Sequence, residues 1–426
     1  MTGPPAEGAA NDARPRLGIL GLFSASSFWF GVNYHWGALL VIVVPSQVRA
    51  MTDDHALWVG RIVGLGSFTA LLVPLIAGAL SDRCRSRWGR RRPYIMAGVA
   101  LNLAGLAVLF WAASAHSLIG YLCGYLLANL GNNVATGPYS GVIPDVVRED
   151  QRGIASGWMA VMTQGGTILG ALASGLLLGA GMAAVAYISI AAILTASALI
   201  TVWGVRERPF GKDLAPLRVL RYLRGMWTDL RDHPDFAWVW ITRFLVVMGM
   251  FTVQPFMQYY LADHLGVENP ERTAGILLAI ILVGSSVTGI IGGRLSDRIG
   301  RKPVIYVANG TIAAASLGFI FVDSLEVAFV IAVVYGLGYG AYYSVDWALA
   351  CDVLPNQHEA AKDMAVWNVS MVLPQAIAAP IGGWLLSAHR LPDGGYAEQG
   401  YAALFALSAV QLALGAILIR NVRGAR

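Results

Sequence analysis

The run Tyr342-Tyr343-Ser344-Val345-Asp346-Trp347 sets one carboxylate inside an otherwise apolar and aromatic stretch. Ile241-Thr242-Arg243-Phe244-Leu245 does the same with one guanidinium. A lone charge in such surroundings is costly, so its presence marks a functional group or a partner of opposite sign. Asp346 precedes Asp352 by six residues, ~9 Å along a helix, and Arg243 follows Phe236 by seven, ~10 Å. The depths match, and the two are expected to face one cavity and interact, with Asp346 the one acid well inside a span. Proton binding at Asp346 would then release Arg243; a permanent structural ion pair is the equal alternative. His35 is a second titratable candidate, near the middle of its own apolar stretch, with a hydrogen-bonded packing role as its alternative.

Neutral polar groups are more numerous. Asn33, His35 and Trp36 fall together, as do Asn129, Asn132 and Asn133. Gln254 and Gln258 (with Tyr259), Tyr343 and Trp347 (with Tyr342), and Asn368 (with Trp367 and Gln375) form further groups, and Trp158 and Gln164 add to them. Amides bond hydroxyls and aromatic rings cover C–H faces, so the set suits a small neutral polyol. An anion would favour more central Arg or Lys. For any one member, a bond between helices is the competing explanation.

The elements that must position these groups follow from composition. Of 426 residues, 56% are apolar and 13% charged, against ~25% charged in soluble domains. Thirty Lys/Arg and 25 Asp/Glu cannot cover the surfaces of a soluble chain this long, which excludes an ordinary soluble enzyme and a disordered protein. Three cysteines at unrelated spacings (Cys84, Cys123, Cys351) support neither a disulfide framework nor a metal site. Gly336-Leu337-Gly338-Tyr339-Gly340 lacks the strand context of a nucleotide loop, and no Walker motif or nucleophile–base arrangement is evident. No enzymatic activity, cofactor or metal is expected.

Crossing a bilayer takes about 20 apolar residues in a helix. Twelve stretches qualify: roughly 17–48, 57–81, 94–115, 118–144, 153–180, 183–204, 236–262, 272–293, 303–322, 327–351, 364–388 and 401–419. Continuous apolar runs such as Ile188 to Leu194 exclude the alternation of barrel strands. Residues 1–16 form a polar tail without a signal-peptide core. Of the 30 Lys/Arg, 25 fall on the face that carries both termini and three (Arg49, Arg272, Arg390) on the other. The positive-inside rule then puts both termini in the cytoplasm, in the plasma (bacterial inner) membrane. The basic residues report lipid headgroups and topology, not nucleic acid. Arg61, near the outer end of span two, is expected to snorkel.

The expected organisation is a tail (1–16), a six-helix bundle (17–204), a linker (205–235), a second six-helix bundle (236–419) and a tail (420–426). In the linker, Arg206, Arg208, Arg218, Arg221 and Arg224 alternate with apolar residues, as on an amphipathic helix or a solvated connection. The halves repeat. Gly78-Ala79-Leu80-Ser81-Asp82-Arg83 and Gly89-Arg90-Arg91-Arg92-Pro93 follow span two; Gly293-Arg294-Leu295-Ser296-Asp297-Arg298 and Gly300-Arg301-Lys302-Pro303 follow span eight, 215 residues on. Asp145 after span four matches Asp352 after span ten. Asp82, Arg90 and Asp145, and Asp297, Arg301 and Asp352, are therefore expected to gate the basic face by pairing in one state and parting in another. Static helix-end charges are the competing account.

Six plus six spans with a parallel repeat resemble the major facilitator superfamily. Ser81-Asp82-Arg83-Cys84-Arg85-Ser86-Arg87-Trp88-Gly89-Arg90-Arg91-Arg92-Pro93 resembles the plant sucrose transporter pattern S-D-R-C-x-S-R-x-G-R-R-R-P. Gly31-Val32-Asn33-Tyr34-His35-Trp36 is similar to that family's G-V-Q-F-G-W, and Asn132-Asn133 with Gly137-Pro138 to its A-N-N … Q-G-P. The wider group is the glycoside–pentoside–hexuronide:cation symporters. The resemblance implies an all-α, twelve-helix carrier of a sugar or glycoside, of sucrose-like size, driven by a proton (or sodium) and working as a monomer by alternating access. It departs at Asn129, where the plant family carries the Asp thought to take the coupling proton. Export of amphipathic compounds and a non-transporting sugar receptor stay open.

Overall fold

The computed structural model describes residues 15–205, 207, 231–354, 360–392 and 394–423. The N-terminal tail up to 14, the linker arginines and residues 424–426 lie outside the described residues, as do the side chains of 360–362 and 365. A lipid-facing chain must satisfy its own backbone polar groups, and the described residues are helical throughout, apart from short connections and one isolated bridge between Arg390 and Tyr396.

Among the described residues, twelve long helices carry the spans: α1 (Ile19–Met51), α2 (His55–Ser81), α3 (Arg92–Ser114), α4 (Leu118–Tyr139), α5 (Arg152–Gly179), α6 (Ala183–Gly204), α7 (Pro234–Asp263), α8 (Pro270–Ile299), α9 (Arg301–Phe321), α10 (Leu325–Asp352), α11 (Ala360–Ser387) and α12 (Glu398–Asn421). Eleven are apolar enough to cross a bilayer by composition alone. The exception is α4, whose Asn129, Asn132 and Asn133 lower its hydropathy; all three are buried against protein rather than lipid.

Within each bundle the same pairings recur. α1 packs on α5 and α6, α3 on α4, and α2 on α4; α7 packs on α11 and α12, α9 on α10, and α8 on α10. The bundles meet along two seams, α2 with α11 and α5 with α8. Close approach at the first seam needs small residues: a Cβ at Gly60 would stand 2.6 Å from the Ala379 carbonyl oxygen.

Two breaks position the centre. Proline has no N–H and its ring crowds the carbonyl four residues back. In α1, Pro45 is preceded by a π-helical turn at Leu39–Val43, and in α7, Pro255 sits in a 3₁₀ turn at Gln254–Phe256. The Val41 and Ile42 carbonyls of α1 accept from Gln258 Nε2 at 2.8 and 2.9 Å, and the Tyr259 hydroxyl donates to the Pro45 carbonyl at 2.8 Å. Each broken helix thus supports the other across the bundle boundary.

Candidate functional site

A cavity of about 540 Å³ lies between α1, α2, α4 and α11. Trp29, Asn33 and Trp36 line it at helical spacing along α1, Asn132 and Asn133 along α4, and Asn368 and Met371 along α11. It extends through Ser140 and Met364, near the basic-face ends of α4 and α11. The opposite half is shut. Arg49 Nη2 at the end of α1 pairs with Asp263 of α7 (2.9 Å), and Arg390 pairs with Asp53 (3.1 Å). Ser46 donates to Glu271 (2.9 Å), and the Ala56 N–H to the Tyr396 hydroxyl (2.8 Å). Tyr401 donates to Asp263 at 2.7 Å, which fixes that carboxylate from a second side. Burial holds the Tyr396 phenol above its ordinary range, so it stays neutral in this latch. The latch was not anticipated from sequence, although two of the three basic residues on the depleted face (Arg49 and Arg390) belong to it.

On the N-terminal side the cavity wall is neutral. Asn133 Nδ2 donates to the Asn129 side-chain oxygen (2.5 Å) and carbonyl (2.9 Å), and Thr69 of α2 donates to the same Asn129 oxygen at 2.6 Å. Asn129 is thus held within the bundle while Asn132 and Asn133 line the cavity; Asn132 Oδ1 itself is enclosed, without a partner among the described residues. Asn33 Nδ2 donates back to the Trp29 carbonyl (2.8 Å), leaving its oxygen for other donors. His35 is fully buried and does not line the cavity: Asn102 Nδ2 lies 3.1 Å from its Nε2, with the Trp36 ring edge-on at 4.9 Å.

On the C-terminal side, Arg243 Nη1 and Asp346 Oδ2 are 2.5 Å apart, with side chains only 4% and 5% exposed. Tyr342 donates to the other carboxylate oxygen at 3.1 Å. The guanidinium lies 3.4 Å over the Trp367 ring, and its Nη2 donates to Met371 Sδ at 3.4 Å. The pair therefore borders the cavity through Met371 rather than facing it. Asp363, in the first turn of α11, is a second buried acid of this half; it stands one residue before the apolar stretch that begins at 364, where run length carries no sign of burial.

The remaining candidates are spread more widely. Gln254 lines a separate, mostly apolar chamber of about 140 Å³ with Tyr335 and Tyr339. Gln258 is committed to α1, as described above. Tyr343 packs on Tyr339 and Tyr342. Trp347 is 55% exposed and meets Trp367 edge-on. Gln164 bridges α5 to the Leu282 carbonyl and Ser285 of α8, Gln375 bonds the Met371 carbonyl, and Trp158 packs on Phe23. The Arg61 guanidinium rests over Trp58.

At the basic face, Arg91 Nη2 pairs with Asp82 (2.8 Å) and Arg90 Nη2 with Asp145 (2.5 Å). Arg301 joins Asp297 (2.5 Å) and Asp352 (3.2 Å). Gly89 (φ +102°) and Gly300 (φ +96°) both take the left-handed turn that presents these arginines, which explains why glycine recurs in the repeat. Each cluster lies within its own bundle, so neither bars the cavity in this conformation. Glu207 accepts from the Arg90 and Arg91 backbone N–H groups (2.7 and 2.9 Å).

Two pseudo-equivalent helical bundles around a cavity lined by amides, indoles and aliphatic side chains define an integral membrane protein built as a carrier. The chain belongs to the Major Facilitator Superfamily, whose family profile matches residues 19–360 and 239–423. This is a family of transporters rather than enzymes. A sucrose transport protein of Arabidopsis thaliana is 27% identical over 164 residues, 35% of this chain and 32% of the relative. The match spans about a third of the length of such curated relatives. Among solved structures, a mutant of the nucleoside transporter NupG superposes with a TM-score of 0.74 at 15% identity, covering 94% of this chain and 99% of that one. A D-xylose-proton symporter superposes at 0.66 and 15% identity, covering 93% and 97%. These two likenesses concern the fold.

Proposed function

We propose that this protein carries a neutral sugar or glycoside, with a sucrose-like disaccharide favoured, across the plasma membrane by alternating access in symport with a proton. The observation that carries the reading is the cavity itself. About 540 Å³ lies within the ~300–1,000 Å³ span of small-molecule sites, and amides alternate there with the Trp29 and Trp36 rings. The amides of Asn132, Asn133 and Asn368 that line the cavity are suited to bond sugar hydroxyls. The sucrose transport relatives point the same way. In this reading Asn33, Trp36, Asn132, Asn133 and Asn368 touch the substrate. His35, Asn129, Gln254, Gln258, Tyr343 and Trp347 position the surrounding helices.

Asn129 does not titrate, so the proton role passes to Asp346. When Asp346 is ionised, Arg243 is held; when it is protonated, Arg243 is released toward Met371 and the cavity. The basic-face trios Asp82–Arg90–Asp145 and Asp297–Arg301–Asp352 keep each bundle rigid as it rocks, and both termini are cytoplasmic. In this reading the cavity opens toward the cytoplasm, and Arg49–Asp263 latches the outer side. Counterflow in proteoliposomes against a panel of mono- and disaccharides tests the substrate class. Exchange of at least one neutral sugar is expected, and no exchange of any would overturn the assignment.

A further inference from the structure

Arg243 is a buried cation with too few acceptors. A guanidinium carries five N–H groups. Here Nη1 meets Asp346, Nη2 meets a thioether, and Nε, although buried, has no partner among the described residues. One face is covered by Trp367. Sulfur in a thioether is a weak acceptor, so the contact to Met371 leaves much of the guanidinium's bonding capacity unused. Buried charges in this state gain most from a better acceptor.

Met371 is also the residue between the cation and the cavity. It lines the cavity three residues after Asn368, which places the two on one face of α11. Its unbranched side chain has three soft torsions and can turn aside at low cost. Its backbone is fixed independently, since Gln375 Nε2 donates to the Met371 carbonyl at 3.1 Å.

We propose that Arg243 Nη2 and Met371 form a latent oxygen-acceptor subsite, in which the thioether holds the place of a substrate hydroxyl oxygen and yields the guanidinium to it on binding. The subsite takes a neutral ligand oxygen, a hydroxyl or ring ether, and it rests on the sugar reading given above. Arg243 thereby contributes to binding as well as holding Asp346.

Replacing the placeholder has a signed consequence. Met371→Leu keeps the volume and removes the competing acceptor, so KM for the exchanged sugar falls about threefold. Met371→Gln supplies a stronger acceptor of similar length, so KM rises about tenfold. A residue that merely packs would raise KM in both variants. The test is counterflow kinetics of wild type, Met371→Leu and Met371→Gln with the same sugar, with unfolding midpoints in detergent recorded for each. Opposite shifts support the subsite. A raised or unchanged KM in Met371→Leu, the variant least expected to disturb folding, overturns it while leaving the sugar reading intact. Absence of exchange by the wild-type protein overturns both.

Discussion

The two bundles repeat one packing scheme but hold different chemistry at their centres. At the centre of the N-terminal bundle the buried polar residues are amides, Asn102, Asn129, Asn132 and Asn133, with the enclosed His35, while its buried Arg91 lies out at the basic face. In the C-terminal bundle an ion pair, Arg243–Asp346, sits beneath Trp367 and Tyr342. Neutral amides exchange partners at small cost, because each bond is worth ~0.5–1.5 kcal/mol net. A buried ion pair resists separation, since breaking it costs ~3–5 kcal/mol. The first arrangement suits a site that must bind and release; the second suits a switch with two defined states.

The largest expected effect comes from breaking the charged half. Asp346→Asn leaves Arg243 uncompensated in a dry setting, and a loss of about 3–5 kcal/mol is expected. A much lower unfolding midpoint in detergent, together with lost accumulation, would show it; wild-type stability would mean that the pair is not strongly coupled. Next in size is the contact by which the broken helices α1 and α7 support each other. Gln258→Leu strands the Val41 and Ile42 carbonyls, at ~1–3 kcal/mol each. Spin labels on the face carrying Arg49 and Arg390 should then report a larger open population, and an unchanged distance distribution would remove Gln258 from the closing mechanism. The smallest effect is expected in the neutral half. Asn132→Ala should raise the KM for sugar exchange about five- to tenfold with little change in stability, the loss of one hydrogen bond. An unchanged KM would place the ligand elsewhere.

Much of this arrangement could be read from residue order. Apolar run length located the spans, and the repeated Ser-Asp-Arg and Gly-Arg segments exposed the two halves. Equal depth sufficed to pair Arg243 with Asp346. Facing was harder to read. Asn33 and Trp36 are three apart and share a face, whereas His35 stands ~200° round from Asn33 at ~100° per residue; its place against Asn102 follows from that angle. The latch was least legible because its partners lie 214 and 337 residues apart, at loop ends where a charge ordinarily signals only solvent. The breaks in α1 and α7 show an intermediate case: proline marks where a helix yields, but the side chain that captures the freed carbonyls belongs to the other bundle.

The proposed division between a neutral binding half and an ionised coupling half is tested most directly by removing both charges together. In the doubly substituted Asp346→Asn, Arg243→Met protein, no charge is left stranded. Reconstituted into proteoliposomes, it should still exchange sugar by counterflow without a pH gradient, at a raised KM because the Arg243 contact is lost, and it should no longer accumulate sugar when an inward proton gradient is imposed. Gradient-driven accumulation at the wild-type level in that protein would contradict the account.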